Sequence, residues 1–82
     1  MNNWAVYLVS CRDGSLYCGA TNNVEKRIAA HNAGRGAKYT RSRLPVVLLV
    51  VSGFMSMSEA LKLEYKVKQQ KKELKIAYLK RN

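Results

Sequence analysis

Acidic residues are scarce in this 82-residue chain: Asp13, Glu25, Glu59, Glu64 and Glu73 stand against fifteen lysines and arginines, a formal net charge of +10. Such a balance argues against a surface built for cationic partners and attracts polyanions, whether nucleic acid or an anionic membrane face. Long apolar runs are missing too. The longest, Val46–Val51, has the length of a strand, far short of the roughly 20 residues that cross a bilayer. The start, Met1-Asn2-Asn3-Trp4, has no basic n-region, and the apolar stretch Ala5–Val9 is too short for a signal peptide. A cytoplasmic protein with no membrane partner is expected. Cysteine is limited to Cys11 and Cys18, which in the cytosol should be reduced thiols and which alone make no zinc site. With no repeat, linker or composition shift, residues 1–82 are expected to form a single domain.

What is present reads as a short α+β fold. Trp4–Val9 is β-branched and aromatic, hence a strand. Asp13-Gly14 between apolar runs signals a hairpin, with Leu16–Ala20 as the return strand. Asn22 and Glu25 have the spacing of a capping box for a helix over about Val24 to Asn32, ending near Gly34. Gly34 to Arg43 is glycine-rich, basic and aperiodic, and reads as a loop. Val46–Val51 is continuously apolar, as in a strand covered on both faces. Ser56 and Glu59 form a second capping-box pattern, opening a helix to about Gln70, and Lys71 to Leu79 is helical in composition. The order β-β-α-β-α-α implies a three-stranded, mainly antiparallel sheet with helices packed on it.

Of the five acids, Glu64 is the one without a local explanation. Asp13 belongs to a turn, Glu25 and Glu59 to caps, and Glu73 to a lysine-rich stretch where a solvated ion pair suffices. At about 100° per residue from Ala60, Glu64 falls near 40°, inside an apolar arc set by Leu63, Val67, Met57 and Leu61. A carboxylate on that side is costly unless it is paired or holds a metal. The first helix has a similar feature: Arg27 and His31, one turn apart, flank the Val24–Ile28 stripe.

These residues together resemble the GIY-YIG nucleases, which carry two tripeptides on adjacent strands, then an Arg on the first helix and a Glu on a later one. Ala5-Val6-Tyr7 stands at the first tripeptide and Tyr17-Cys18-Gly19 at the second; Arg27, His31 and Glu64 match the remaining positions. The chain departs from the pattern in having Ala5 and Val6 for Gly-Ile, Ala20 where some members have Lys, and no match to a late Asn. The resemblance spans essentially the whole chain and looks closest to short, stand-alone bacterial members. It implies divalent-metal-dependent phosphodiester hydrolysis of nucleic acid, DNA ahead of RNA, selective for structure rather than sequence. A guiding protein partner fits the lack of a second domain.

Under that resemblance Glu64 would hold Mg²⁺ or Mn²⁺ with waters and a phosphate oxygen, because hard cations favour oxygen ligands. Tyr7 or Tyr17 would accept a proton from the attacking water; a phenol with an ordinary pKa of about 10 needs nearby positive charge to do so. Arg27 would clamp the phosphate, and His31 would exchange a proton or orient a water. Lys38, Tyr39, Arg41 and Arg43 would track the nucleic-acid backbone, Tyr39 stacking on an unpaired base. Lys66, Lys68, Lys71, Lys72 and Lys75 would extend that track. A shared site also sets the hairpin register. A two-residue turn would put Tyr7 and Tyr17 on opposite faces, whereas a three-residue Arg12-Asp13-Gly14 loop with a G1 bulge pairs Val9 with Tyr17 and Tyr7 with Gly19, placing both tyrosines on one face. The second register is expected. The alternatives are a non-catalytic nucleic-acid-binding module of the same fold, and a protein- or ribosome-associated domain.

Overall fold

In a computed structural model, which describes residues 2–82, the chain forms strands β1 (Ala5–Ser10), β2 (Leu16–Thr21) and β3 (Val47–Val51) and helices α1 (Val24–Asn32), α2 (Lys38–Arg41), α3 (Met57–Lys68) and α4 (Lys72–Lys80). The sheet order is β2-β1-β3 with both pairings antiparallel. This is the expected α+β architecture.

The hairpin takes the three-residue loop. Cys11 N–H donates to the Ser15 carbonyl at 2.8 Å and Gly14 N–H to the Cys11 carbonyl at 2.9 Å. Gly14 has φ of 84°, the left-handed conformation that a side chain resists. The Asp13 carboxylate accepts from the Ser15 backbone N–H at 3.0 Å and from its hydroxyl at 2.6 Å, which closes the turn. Val9 then lies opposite Tyr17 and Tyr7 opposite Gly19, so the two tyrosines share a face.

Strand alternation divides the core in two. Val6, Leu8, Cys18 and Val50 pack on one side against Ala60, Leu63 and Val67 of α3 and Leu79 of α4. Tyr7, Val9, Cys11 and Val46 face the other way, against Ile28 of α1 and Leu44. Both cysteines are free and buried, and burial pushes the Cys18 thiol up to about 12, which keeps it unreactive.

Four local expectations differ from what is found. The segment Gly34 to Arg43 is not all loop: α2 is one turn held by short-range bonds, with Thr40 N–H donating to the Ala37 carbonyl at 3.1 Å and Arg43 N–H to the Thr40 carbonyl at 2.9 Å. β3 is an edge strand rather than one covered on both faces; Val46 and Val50 are buried, but Val47 is 61% exposed, and a register shift opposite Leu8/Val9 turns the strand. Asn23, not Asn22, caps α1, its side chain accepting from Lys26 N–H at 3.1 Å. The Ser56–Glu59 capping box forms as expected, but the helix it opens ends at Lys68.

The buried arc of α3 is narrower than the helical wheel suggests. Ala60, Leu63 and Val67 are buried, while Met57 and Leu61 are about half exposed, at 51% and 49%. Glu64 therefore lies at the rim of the arc. Its side chain is 19% exposed and its carboxylate meets Lys68 Nζ at 2.7 Å.

Candidate active site

Hairpin register and helix phase converge on the Tyr7 hydroxyl. Tyr7 lies across β2 with its ring over Gly19, where a Cβ would fall 2.4 Å from the phenol oxygen. Only glycine leaves that space. The hydroxyl reaches His31 Nε2 on α1 at 2.9 Å, and both residues are buried. Behind His31, Nδ1 meets the Thr40 hydroxyl at 2.9 Å, and that hydroxyl in turn donates to the Ala37 carbonyl at 2.9 Å. Gly36 lies against the far side of the imidazole, its backbone so close that any side chain there would collide with the ring.

The other charged candidates surround this pair. Burial pushes the Tyr7 phenol up to about 12; the Arg27 guanidinium opposes the shift, while the neighbouring Tyr17 and the Glu64 carboxylate add to it. The His31 imidazole is held below its usual range, first by burial and then by the Arg27 guanidinium. Tyr17 on β2, Arg27 on α1 and Glu64 on α3 thus all bear electrostatically on Tyr7, and Arg27 also on His31. Tyr17 meets His31 edge to face, with ring centroids 5.4 Å apart. At neutral pH, Tyr7 is a protonated phenol beside a neutral imidazole.

The basic loop divides into two groups. Tyr39 stacks on Tyr17 at 5.9 Å and 22°, and carries the Arg43 guanidinium 4.0 Å from its ring centroid. Arg43 is further held by Asp13 at 3.0 Å and by the Tyr39 carbonyl at 2.7 Å. Tyr39 is thus already engaged by Tyr17 and Arg43, though it remains 40% exposed. Lys38 and Arg41 are exposed on the same turn.

A divalent cation can be tested against the donors present. Among the described residues, no group of three His, Cys, Asp or Glu side chains comes together, which excludes a closed all-protein cage such as a zinc centre there. A partly exposed carboxylate outside any such group suits a hard cation that keeps waters and takes a substrate phosphate oxygen. Lys68 meets Glu64 in an (i, i+4) pair in which the lysine is half exposed and the carboxylate 19% exposed, so a cation at Glu64 would have to displace or share with the ammonium. The fit is good.

Two contributors were not singled out from sequence. From sequence Lys68 reads only as part of a basic track; its four-residue offset from Glu64 is the available signal, and its ammonium also sits 5.9 Å over the Tyr17 ring. Thr40 had none, since its contact with His31 depends on the turn α2.

The buried imidazole has a consequence for stability. Because the folded-state pKa of His31 lies below its free value of about 6.5, the unfolded chain binds a proton that the folded chain refuses. Stability should be flat above about pH 7 and fall as the pH drops below about 6.5. Asp13 and Glu59, whose carboxyls hydrogen bonds hold low, lose their contributions only further down, below the ordinary carboxylate range. Urea melts from pH 8 to 5 should show the first loss, and His31→Gln should remove it.

Known proteins resemble this chain along most of its length. Residues 3–77 match the model of the GIY-YIG catalytic domain. A UPF0213 protein of Staphylococcus haemolyticus is 55% identical over 71 residues, 87% of this chain and 87% of its own length. A UPF0213 protein of Nitratidesulfovibrio vulgaris is 50% identical over 76 residues, 93% of this chain and 69% of its own. Among solved structures, the solution structure of UPF0213 protein BH0048 from Bacillus halodurans is similar over 100% of this chain and 86% of its own, with 41% identity and a TM-score of 0.58. That of protein EF2693 from E. faecalis is similar over 99% and 90%, with 40% identity and a TM-score of 0.63. A family match over residues 3–77, with relatives of 50–55% identity along most of the chain, leads to one conclusion: the chain belongs to the GIY-YIG nuclease superfamily.

Proposed function

We propose that this protein is a divalent-metal-dependent endonuclease that hydrolyses phosphodiester bonds in nucleic acid, with Tyr7, Tyr17, Arg27, His31 and Glu64 as its active site. The observation that carries this reading is the buried Tyr7–His31 pair, flanked by Arg27 and Glu64. A phenol pushed up to about 12 is a poor preformed base. It serves instead as a relay. As water attacks phosphorus, its proton passes to the Tyr7 oxygen while the Tyr7 proton moves to His31 Nε2, and the imidazolium forms beyond the reaction centre. The phosphorus–oxygen bond to the leaving group breaks, and that oxygen takes a proton from solvent. Arg27 holds the phosphate through the transition state. Glu64 would hold Mg²⁺ or Mn²⁺, which when bound supplies Lewis-acid stabilisation of the leaving oxygen. Tyr17 closes the other side of His31 and, with Tyr39 and Arg43, forms the wall of the cleft.

Among the described residues no helix is long and apolar enough to cross a membrane, and a cytoplasmic setting with DNA as the favoured substrate accords with the charge. Residues 1–82 act as one domain in this reading. Choice of a cleavage position then falls to substrate structure or to a guiding partner. Lys38 and Arg41, exposed on α2, would contact phosphates. Each Ala variant should lower the slope of log K against log salt by about one, read by gel shift across a salt series. Arg43→Ala should instead loosen the Tyr39 stack with little change in slope.

The Lys68–Glu64 ion pair favours a second reading, a nucleic-acid-binding module without turnover, because it satisfies the carboxylate without any metal. Assay of branched, nicked and single-stranded DNA and RNA with Mg²⁺, Mn²⁺ and EDTA separates the two. The nuclease reading expects metal-dependent products from at least one substrate. Binding with no product under any condition would leave the module.

A further inference from the structure

Thr40 is fully buried on a four-residue turn, and no electrostatic or motif argument marks it. Its hydroxyl has one proton. The Ala37 carbonyl, 2.9 Å away, can only accept, so it takes that proton. The Thr40 oxygen is then left to accept from His31 Nδ1 at 2.9 Å, which requires the Nδ1 of the ring to carry its hydrogen. In a neutral imidazole Nε2 is therefore bare, and it faces the Tyr7 hydroxyl at 2.9 Å. The proton direction along the whole chain, from Tyr7 through His31 and Thr40 to the Ala37 carbonyl, follows from one backbone acceptor at its end.

We propose that Thr40 is a positioning residue, which through the Ala37 carbonyl locks His31 in the Nδ1–H tautomer and so leaves Nε2 free to receive the Tyr7 proton. This rests on the nuclease reading for its consequence in catalysis, but not for the tautomer. The turn α2 serves as the back wall of the proton relay: Gly36 gives the imidazole room, Ala37 supplies the acceptor, and Thr40 passes the orientation on. A hydroxyl is needed at position 40, because a methyl in its place can neither accept from Nδ1 nor bond Ala37.

The test uses long-range ¹H–¹⁵N spectra of the His31 ring in the full chain, with Thr40→Val as the near-isosteric variant and Thr40→Ser as the variant that keeps the hydroxyl. Wild type and Thr40→Ser should show a pyrrole-like Nδ1 and a pyridine-like Nε2. Thr40→Val should lose that pattern, shifting towards the other tautomer or a mixture. Thr40→Ala replaces it if the valine variant does not fold. In cleavage assays, kcat should fall by about 10- to 100-fold in Thr40→Val, with KM unchanged and recovery in Thr40→Ser. An unchanged ring spectrum in Thr40→Val, or failure of Thr40→Ser to restore it, overturns the assignment. If wild type cleaves nothing, the nuclease reading fails, and the ring spectra still decide the role of Thr40.

Discussion

Tyr7→Phe is expected to lower cleavage by about 10²- to 10⁴-fold, the range over which a positioned proton-transfer group contributes, and to cost stability as well. The ring would still fill its place over Gly19. What disappears is the donor to His31 Nε2, and His31 is fully buried. An acceptor left unpaired in such a place costs about 1–3 kcal/mol, from a total of about 4–12 kcal/mol for a domain of this length. Tyr17→Phe makes the comparison informative. Among the described residues the Tyr17 hydroxyl has no hydrogen-bond partner, and its ring packs on His31 and Tyr39. Removing that hydroxyl should therefore change stability little and cleavage less than in Tyr7→Phe. Single-turnover rates and urea melts on both variants check the pair. A larger rate loss in Tyr17→Phe would move the proton-accepting role to the other strand.

That the two tyrosines share a face could be read before any coordinates. The turn residues alone leave two registers open, since a two-residue Asp13-Gly14 turn would oppose the tyrosines; the shared site implied by the family resemblance selects the three-residue loop, with Gly14 left-handed, that is found. Glu64 was legible for a different reason: a charge within an apolar arc stands out at a helical period, even though Met57 and Leu61, which widened that arc, are half exposed. The exposure of β3 was not legible, because an unbroken apolar run has no phase from which to assign faces, and an edge position depends on strand order. Nor was Thr40. Its partner is nine residues away, across a turn held by i→i+3 bonds that leave no periodic trace. The packing of Tyr39 against Tyr17 and Arg43 was hidden for the same reason, since Asp13, which anchors Arg43, lies 30 residues distant.

The metal position offers the sharpest division between cutting and binding. Glu64→Gln keeps the shape of the side chain and removes its charge. The ion pair with Lys68 is lost, at a cost of about 1 kcal/mol, above that of a fully exposed helical pair because the carboxylate is only 19% exposed, so the fold should persist. Lys68 is also released on a chain that is already basic, so affinity for a polyanion should hold or rise. Catalysis should suffer far more, because among the described residues no group of three His, Cys, Asp or Glu side chains is gathered to hold the cation without Glu64, and loss of a group that stabilises the transition state costs about 10²- to 10³-fold. The decisive measurement is single-turnover cleavage of an end-labelled substrate by wild type and Glu64→Gln in Mg²⁺, with binding titrated on the same preparations. The account predicts product from wild type, none above background from the variant, and equal or tighter binding by the variant. Equal cleavage by the two proteins would contradict it.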